Sequence, residues 1–426
     1  MPAGDAPSPV IVVGGGVAGL VVARELVLAG RDVVLLERSD RVGGQIARHS
    51  IAGIDLDSGA EAFATRGTDI PRLLTSLGLD GDVVTPSPSP AWVQRANGGA
   101  VPLPATSLLG IPGVPLAQDV IDAIGLPAAL RAQFDMLMPG LVGSKAATVG
   151  ELVRRRMGKA VLDGLVAPVA RGVHSTDPDE LDLDRAAPGL RQALLSAGNL
   201  GQAVRSLREK APAGALVASL RGGMFRLVDA LAADLDRFGV RVRTGVEVTA
   251  FDAGGVTTAS GERIRGEVVL AAPLDVDAPR ARVQVATIAV DAPTLAQAPR
   301  GTGVLVAPGV SGVQARALTH LTAKWEWLAE RTPLHLLRLS YDDGVQVTPE
   351  LARADAEMLL GTPLPTPSDA AIVSWERTGR RTGPEHAIDG MHRVGEAESG
   401  TGLAAVVSYA RSTAGAIPPR GTAGEG

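Results

Sequence analysis

The stretch from Val10 to Gln45, VIVVGGGVAGLVVARELVLAGRDVVLLERSDRVGGQ, decides the fold. Four apolar residues run directly into glycines at Gly14, Gly16 and Gly19. A helix-like run and a second apolar strand then lead to Glu37. A strand, a glycine-rich turn, a helix, a second strand and an acid about twenty residues further on form the unit that binds dinucleotides. The spacing therefore predicts a Rossmann-like domain at this end of the chain.

Each of the three glycines has its own physical role in such a unit. Gly14 permits the tight turn, Gly16 lets a pyrophosphate approach the backbone, and Gly19 lets the helix pack closely on the strand. The phosphates would lie at the helix N-terminus, where free N–H groups and the helix dipole favour negative charge. Glu37 is predicted to accept hydrogen bonds from the ribose hydroxyls of an adenosine.

A second glycine pair follows the acid and narrows the choice of dinucleotide. Residues 38–45 read RSDRVGGQ, which places Arg41, Gly43 and Gly44 just past the ribose position. The two glycines can come close to a pyrophosphate that the first turn holds, and Arg41 can offset its charge. Simple NAD enzymes do not need this second set of contacts, whereas flavoproteins that bind extended FAD commonly show it. We therefore predict FAD as the cofactor.

Composition sets the outer limits on function. The chain has 426 residues, 20% charged and 45% hydrophobic, as in an ordinary globular chain with room for two or three domains. A net charge of −5 argues against a nucleic-acid partner, and the lack of cysteine excludes thiolate nucleophiles and disulfides. No spacing of histidines and carboxylates suggests a metal site. No signal peptide and no apolar run of the roughly 18 residues of a membrane helix is evident, so a cytoplasmic location is expected.

The order of patterns along the chain predicts a mixed α/β fold. A discontinuous Rossmann-like FAD-binding domain is combined with a mixed-sheet substrate domain, where longer strands dominate, and with an insert whose apolar residues recur at helical spacing. A polar tail is predicted to be disordered. The predicted boundaries are 1–80, 215–275 and 380–417 for the FAD-binding domain, 81–118 and 276–379 for the substrate-binding sheet, 119–214 for the helical insert and 418–426 for the tail.

A glycine-rich turn near the end of the chain is a second candidate anion site. Residues 392–411 read HRVGEAESGTGLAAVVSYAR, in which Gly400 and Gly402 precede an apolar helix that starts at Leu403. A helix N-terminus carries free N–H groups and the positive end of the helix dipole. Opposite a flavin, it would stabilise the negative charge that develops at N1–C2=O on reduction.

Together these pieces resemble the flavin amine-oxidase-like superfamily and, within it, the porphyrinogen oxidases of haem synthesis. The motifs that carry the resemblance are spread in the family's order over nearly the whole chain. They are Gly14 to Gly19 with Glu37, RVGGQ at 41–45, GAEAFATR at 59–66, PLP at 102–104, RGV at 171–173, GGM at 222–224, GE at 395–396 and GTGL at 400–403. The composition, rich in Ala, Gly and Arg, looks like that of an actinobacterial member. The resemblance implies oxidation of coproporphyrinogen III, or of protoporphyrinogen IX, with dioxygen as the final acceptor.

The same resemblance implies roles for individual residues. Val246, in the strand GVEV, would offer its backbone to the adenine, and Glu396 would bond the ribityl–phosphate part. Arg66 matches a basic position associated with a substrate propionate, and Gly172 matches a glycine beside the macrocycle. His174 stands where the family usually has an aromatic residue and is the third predicted substrate contact. The full set of implied FAD positions is Gly14, Gly16, Gly19, Glu37, Arg41, Gly43, Gly44, Val246, Glu396, Gly402 and Leu403.

No catalytic side chain beyond the flavin is predicted. The cofactor performs the oxidation, and the protein supplies orientation and electrostatics. Arg171 and Arg338 are further candidates for pairing with substrate carboxylates, since a guanidinium binds carboxylates bidentately. His320 is expected to be a hydrogen-bonded structural residue, and Lys324 is expected to face solvent.

Two other kinds of protein stay open on sequence alone. One is another enzyme of the superfamily, although a desaturase should show an apolar membrane-docking face and an amine oxidase an aromatic cage. The other is a flavin-binding paralogue without turnover, which the aromatic content of 3% and His174 keep open. The expected partners are a tetrapyrrole substrate and dioxygen, with a transient contact to a downstream haem-pathway enzyme as a further hypothesis.

Overall fold

The computed structural model describes residues 8–65, 67–210, 217–272, 280–378, 391–400 and 402–418. The strands are β1 (Val10–Val13), β2 (Val33–Leu36), β3 (Arg48–Ile51), β4 (Ile54–Asp57), β5 (Phe63–Ala64), β6 (Val83–Val84), β7 (Trp92–Gln94), β8 (Ala100–Pro102), β9 (Ser107–Leu108), β10 (Ile111–Pro112), β11 (Val217–Leu220), β12 (Arg241–Arg243), β13 (Val248–Asp252), β14 (Gly255–Thr258), β15 (Arg263–Arg265), β16 (Glu267–Leu270), β17 (Arg280–Val290), β18 (Gly303–Val306), β19 (Ala317–His320), β20 (His335–Tyr341), β21 (Asp369–Thr378) and β22 (His392–Arg393).

The helices alternate with these strands and are concentrated between residues 118 and 210. They are α1 (Val17–Leu28), α2 (Asp69–Ser76), α3 (Gln118–Ile124), α4 (Leu126–Gln133), α5 (Val149–Arg156), α6 (Lys159–Val161), α7 (Ala167–Val173), α8 (Leu183–Ala186), α9 (Leu190–Ala197), α10 (Leu200–Lys210), α11 (Phe225–Arg237), α12 (Leu321–Lys324), α13 (Glu326–Ala329), α14 (Pro349–Leu360), α15 (Glu396–Ser399) and α16 (Leu403–Ala416). Short 3₁₀ turns lie at Asp80–Asp82, Phe134–Leu137 and Pro293–Leu295, and a π-helical turn lies at Leu162–Val166.

A five-stranded parallel sheet carries the cofactor motifs. Its order is β12-β2-β1-β16-β22, and every neighbouring pair is parallel. Strands β1 and β2 are buried along their whole length, as expected for apolar runs inside a sheet covered on both faces. Helices α1, α11 and α16 pack on one face, and the meander β13-β14-β15 covers the other. Helix α1 is buried on nearly all sides because it is enclosed by the sheet, α11 and α16.

A seven-stranded mixed sheet forms the second layer. Its order is β21-β17-β20-β19-β18-β7-β8, and every neighbouring pair is antiparallel except β18 and β7. Helix α14 packs on this sheet and closes its core with Leu359 and Leu360. The sheet combines two separate stretches of chain, because β7 and β8 precede the helices while the other strands follow them.

Helices α3 to α10, which we call the helical insert, enclose their own apolar core. A buried ion pair lies in it, centred on the fully buried Arg156. Its guanidinium pairs with buried Asp135 and donates to the carbonyl oxygens of Pro139 and Val142 at 3.1 and 2.8 Å. Asp135 also accepts from the N–H of Gly201 at 3.0 Å. This network connects the 3₁₀ turn after α4 to α5 and α10.

The mixed α/β fold class predicted from sequence is confirmed. One local prediction is wrong: Val246 lies before β13 and not inside a strand, because its N–H bonds to the carbonyl of Glu37 and not to the meander. Arg66 and all but Pro418 of the predicted tail lie outside the described residues. The carbonyl of Pro418 accepts a hydrogen bond from Arg31 at 2.8 Å. Within the described ranges, no helix combines the length and apolarity that crossing a membrane requires.

Candidate flavin-binding site

The first glycine turn is tightly constrained at two of the three motif glycines, Gly14 and Gly19. Gly14 adopts φ +110°, and a Cβ there would lie 2.9 Å from the backbone of Ala271. A Cβ on Gly19 would lie 1.9 Å from the carbonyl oxygen of Gly14, so α1 could not approach the turn. At Gly16 a Cβ would meet no atom of the described residues within 4 Å. This side of the turn is open at the N-terminus of α1, and it fits the approach of a phosphate.

Glu37 connects the ends of the first two strands. Its carboxylate accepts the N–H of Gly15 at 2.7 Å with Oε2 and the N–H of Ser39 at 2.8 Å with Oε1. Its own carbonyl accepts the N–H of Val246 at 2.9 Å, which places Val246 beside the acid. An ionised carboxylate has about four acceptor positions, so two are left for other donors such as ribose hydroxyls.

The second glycine turn lies directly on the first. The N–H of Gly43 donates to the carbonyl of Gly15 at 2.7 Å, and Gly43 forms a parallel bridge with Gly16. Gly43 and Gly44 adopt φ of +107° and +57°, and a Cβ on Gly44 would lie 3.2 Å from the Cα of Gly16. Arg41 folds over its own turn and donates to the carbonyl of Gly44 at 3.3 Å. The two turns therefore form one continuous glycine-lined surface.

The C-terminal glycine turn joins this surface from the far end of the sequence. Gln45 Nε2 donates to Glu396 Oε2 at 3.0 Å across a separation of 351 residues. The N–H of Val394 donates to the last residue of β16 at 2.9 Å, so the turn begins at the carboxyl edge of the parallel sheet. Gly402 has φ +105° and precedes Leu403, the first residue of α16. Ligands of parallel sheets bind at this edge, outside the carboxyl ends of the strands.

Two of the three predicted substrate residues, Gly172 and His174, lie at the junction of the helical insert and the mixed sheet. Gly172 is near the end of α7, and a Cβ there would lie 2.5 Å from Leu305 Cδ2 and 3.3 Å from the Cβ of Ala317. The glycine therefore lets α7 pack against β18 and β19. His174 follows as the C-cap of α7 and donates its N–H to the carbonyl of Ala170 at 3.0 Å.

Two arginines at this junction share one carboxylate. Arg171 and Arg316 each donate to a different oxygen of Asp342 at 2.9 Å. Arg316 also donates to Ser175 Oγ at 3.0 Å. Ser175 has φ +53°, an uncommon conformation for a residue with a side chain, directly after His174. The turn that carries His174 is thus held by an ion-paired arginine of the mixed sheet.

Arg338 is not available to a substrate carboxylate, which corrects that expectation. It is 9% exposed and donates to the carbonyl oxygens of Ser58, at 3.1 Å, and of Gly59. Its Nη1 lies 3.5 Å from Glu61 Oε2. The guanidinium is therefore committed to the turn after β4 and fixes that turn to β20 of the mixed sheet.

The prediction that Lys324 faces solvent is wrong, because its ammonium pairs with Glu61. Both side chains are 19% exposed. Burial alone would raise the pKa of Glu61, but the charges of Lys324 and Arg338 outweigh it and hold that pKa below its usual range. Glu61 is thus an ionised carboxylate between two cations, where the GAEAF segment meets the mixed sheet. Sequence reasoning missed it, although an acid within an apolar run is a signal of a buried ion pair.

Asp57 and Trp327 complete the surroundings of Glu61. The carboxylate of Asp57 accepts the N–H groups of Met224 and Phe225, at 2.8 and 2.9 Å, where α11 begins. Burial raises the pKa of Asp57 to about 6, against the opposing effect of these bonds. A small cavity lies between Asp57, Glu61 and Trp327. The indole N–H of Trp327 is buried and has no partner among the described residues.

His320 is a hydrogen-bonded structural residue, as predicted. It is 1% exposed, and its Nε2 lies 3.0 Å from Nδ1 of His335. Burial, with a further contribution from His335, lowers the pKa of His320 to about 4. The pair is therefore neutral at neutral pH, with one ring donating and the other accepting.

Comparison with known proteins places the chain in a family. Residues 17–306 match the family described as flavin containing amine oxidoreductase, and the chain belongs to it. The cofactor of this family is a flavin. Among its relatives, the coproporphyrinogen III oxidase of Mycobacterium bovis is 30% identical over 412 residues, covering 89% of this chain and 88% of the relative. The coproporphyrinogen III oxidase of Staphylococcus aureus is 28% identical over 252 residues, covering 56% of this chain and 54% of the relative.

Solved structures agree with the fold. A protein from Exiguobacterium sp. 255-15 superposes with a TM-score of 0.79 at 22% identity, covering 97% of this chain and 99% of the other. Cyclohexylamine oxidase from Brevibacterium oxydans superposes with a TM-score of 0.64 at 19% identity, with the same coverage. At these identities the likeness concerns the fold alone.

Proposed function

We propose that the protein is an FAD-dependent porphyrinogen oxidase, and that its substrate is coproporphyrinogen III. The observation that carries the proposal is the joining of three glycine turns at one sheet edge, in a chain 30% identical over 89% of its length to a coproporphyrinogen III oxidase. A porphyrinogen oxidase from a chloroplast, protoporphyrinogen oxidase 1 of Arabidopsis thaliana, is 28% identical over 268 residues. We therefore keep protoporphyrinogen IX as the second substrate to be tested.

The residues present fit FAD better than a mononucleotide. The open side of Gly16 at the N-terminus of α1 would receive the pyrophosphate, and Glu37 with Val246 would hold the adenosine. Gly402 and the start of α16 would lie by the flavin ring. When bound, FAD accepts a hydride from the substrate and passes the electrons to dioxygen. A mononucleotide would leave the adenosine side of the surface without a ligand.

Around the ring, the protein would position the turn after β4 against the second glycine turn. A Cβ on Gly59 would lie 1.8 Å from the carbonyl oxygen of Gln45, so the turn after β4 packs directly on the second glycine turn. Arg338 and Lys324 hold this turn from the mixed sheet through Glu61. These ion pairs connect two layers of the protein at the place where the flavin ring and the substrate would meet.

Substrate recognition would involve the junction of the helical insert and the mixed sheet. We propose Arg66, Gly172 and His174 as substrate contacts. Arg171 lies next to Gly172 and its side chain is 36% exposed, but Asp342 already pairs with it. A substrate propionate could bind Arg171 only by displacing Asp342. Arg171 is therefore a weaker candidate than its exposure alone suggests.

The proposal is tested by identifying the cofactor and assaying turnover. The purified protein should show a flavin spectrum, and the cofactor released on denaturation should have the mass of FAD. Coproporphyrinogen III in air should give porphyrin fluorescence together with hydrogen peroxide. A release of FMN would refute the cofactor assignment. If neither porphyrinogen gave more porphyrin than a control without protein, the enzymatic assignment would be refuted. Oxidation of a primary amine would favour an amine oxidase.

A further inference from the structure

The helical insert reaches the C-terminal glycine turn through one side chain, Arg185. This residue lies in α8, within the insert. Its Nη2 donates to the carbonyl oxygen of Glu398 at 3.2 Å, in α15, directly before the glycine turn that leads to α16. A hydrogen bond across 213 residues therefore connects the insert to the turn that begins α16.

Gly400 makes this approach sterically feasible. A Cβ at Gly400 would lie 2.9 Å from Cδ of Arg185 and 3.5 Å from its Nη1. Gly400 also adopts φ +84°, which residues with side chains rarely adopt. The aliphatic part of the Arg185 side chain thus packs on the turn at Gly400, where there is no side chain. This packing adds to the hydrogen bond with Glu398. Two independent features place the guanidinium against the same turn.

The backbone around Arg185 is anchored in the insert, so its side chain can act as a fixed connection. The N–H of Arg185 donates to Oδ1 of Asp182 at 3.0 Å, and Leu183 and Ala186 on either side are buried in the core of the insert. On the opposite side, the carboxylate of Glu398 lies 3.2 Å from Nε of Arg393, at the end of β22. The turn is therefore held from the parallel sheet by one arginine and from the insert by another.

We propose that Arg185 is a positioning residue of the flavin site, contributed by the helical insert. It holds Glu398 and Gly400 so that the N-terminus of α16 faces the cofactor, and it adds a positive charge beside that turn. The inference rests on the proposed FAD site. Because the start of α16 would lie by the ring, a positive charge on the turn before it would favour the reduced flavin, which carries more negative charge than the oxidised form. Flavin affinity and flavin potential should therefore both depend on a residue that lies outside the parallel sheet.

The test uses the flavin-loaded full chain and two variants of one residue. Arg185→Met removes the donor and the charge, while Arg185→Lys keeps the charge. We expect Arg185→Met to weaken FAD retention about tenfold, the equivalent of one hydrogen bond from a charged donor, and to lower the flavin potential. Arg185→Lys should recover most of the potential but little of the retention. FAD retention is measured by the fluorescence of the FAD that the protein releases. The flavin potential is measured by equilibration with a reference dye.

Arg154→Met is the matched control, because Arg154 is exposed on the same insert and pairs with Asp179 instead of the turn. It should change neither readout. Equal losses in the variants of Arg185 and Arg154 would overturn the inference, because they would show that the insert is merely weakened. Wild-type retention and potential in Arg185→Met would overturn it as well.

A reciprocal variant checks the geometry. Gly400→Ala should displace the arginine stem, so adding Arg185→Met to it should weaken FAD retention little further. Gly30→Ala serves as the control for conformation, since Gly30 has φ +79° in open space. Full additivity of the two changes would contradict the proposed contact. If the FAD-loaded enzyme oxidises porphyrinogen, and Arg185→Met changes neither FAD retention nor flavin potential, only this inference is refuted. A protein that never retains FAD refutes the proposed function.

Discussion

Glu37 should stabilise the protein before any cofactor is bound. Glu37→Ala leaves the N–H groups of Gly15 and Ser39 without the carboxylate that accepts them at 2.7 and 2.8 Å. A hydrogen bond to a charged group contributes roughly 1.5–3 kcal/mol, but water can replace the more exposed bond to Ser39. We therefore expect the free energy of unfolding to fall by about 2–3 kcal/mol in flavin-free protein.

The measurement is a denaturant titration of Glu37→Ala with and without flavin, in which a shifted midpoint at constant slope reports the loss of stability. The loss should be larger in the loaded protein, because the proposed ribose contacts are removed as well. Glu262→Ala is the control. The carboxylate of Glu262 also accepts two hydrogen bonds, but they come from the side chain of Arg243 on an exposed surface. Equal midpoints for the two variants in flavin-free protein would refute the structural role of Glu37.

Three further predictions concern packing, a buried charge and pH. Gly59→Ala places a Cβ 1.8 Å from a facing carbonyl oxygen, so the flavin-to-protein absorbance ratio should fall severely, whereas Gly81→Ala enters open space and should preserve it. Arg156→Met leaves a buried carboxylate unpaired and should lower the free energy of unfolding by about 3–5 kcal/mol, while Arg154→Met, in an exposed pair, should shift the denaturation midpoint little. Burial lowers the pKa of His320 from 6.5 to about 4, so between these pH values the unfolded chain binds a proton that the folded chain does not. The free energy of unfolding should therefore fall by about 3 kcal/mol as pH drops from 6.5 towards 4. His320→Asn should make this decline smaller, as measured by denaturation at a series of pH values.

Each of these three predictions has a contrary result. Normal flavin content in Gly59→Ala would mean that the turn after β4 can move away from the second glycine turn. A small effect of Arg156→Met would mean that water or another donor reaches its carboxylate partner. An unchanged slope of stability against pH in His320→Asn would assign the acid sensitivity to other groups.

Much of the parallel sheet could be predicted because its signals are local. The apolar runs before Gly14 and before Glu37 are contiguous, and the spacing of the glycines is set by the turn itself. The placement of Gly43 on the first turn followed from the same short stretch. Such signals depend on neighbours within about thirty residues, which a single sequence displays directly.

The contacts between distant segments could not be predicted in this way. Lys324 and Arg338 meet Glu61 across 263 and 277 residues, and Arg185 meets Glu398 across 213. A lysine beside tryptophans looks like a surface residue when its partner is unknown. The register of the mixed sheet decides which charges face each other, and alternation along single strands does not reveal that register.

The enclosure of α1 has a consequence for folding while the chain is being synthesised. One side of this apolar helix is covered by α16, which lies almost 400 residues further along the chain, whereas domains tend to fold as their residues emerge from the ribosome. A nascent chain that stops before residue 391 contains both early glycine turns but lacks β22, Glu396 and α16. Until α16 is made, the side of α1 that it covers is exposed, and this apolar side is a surface for chaperones to protect.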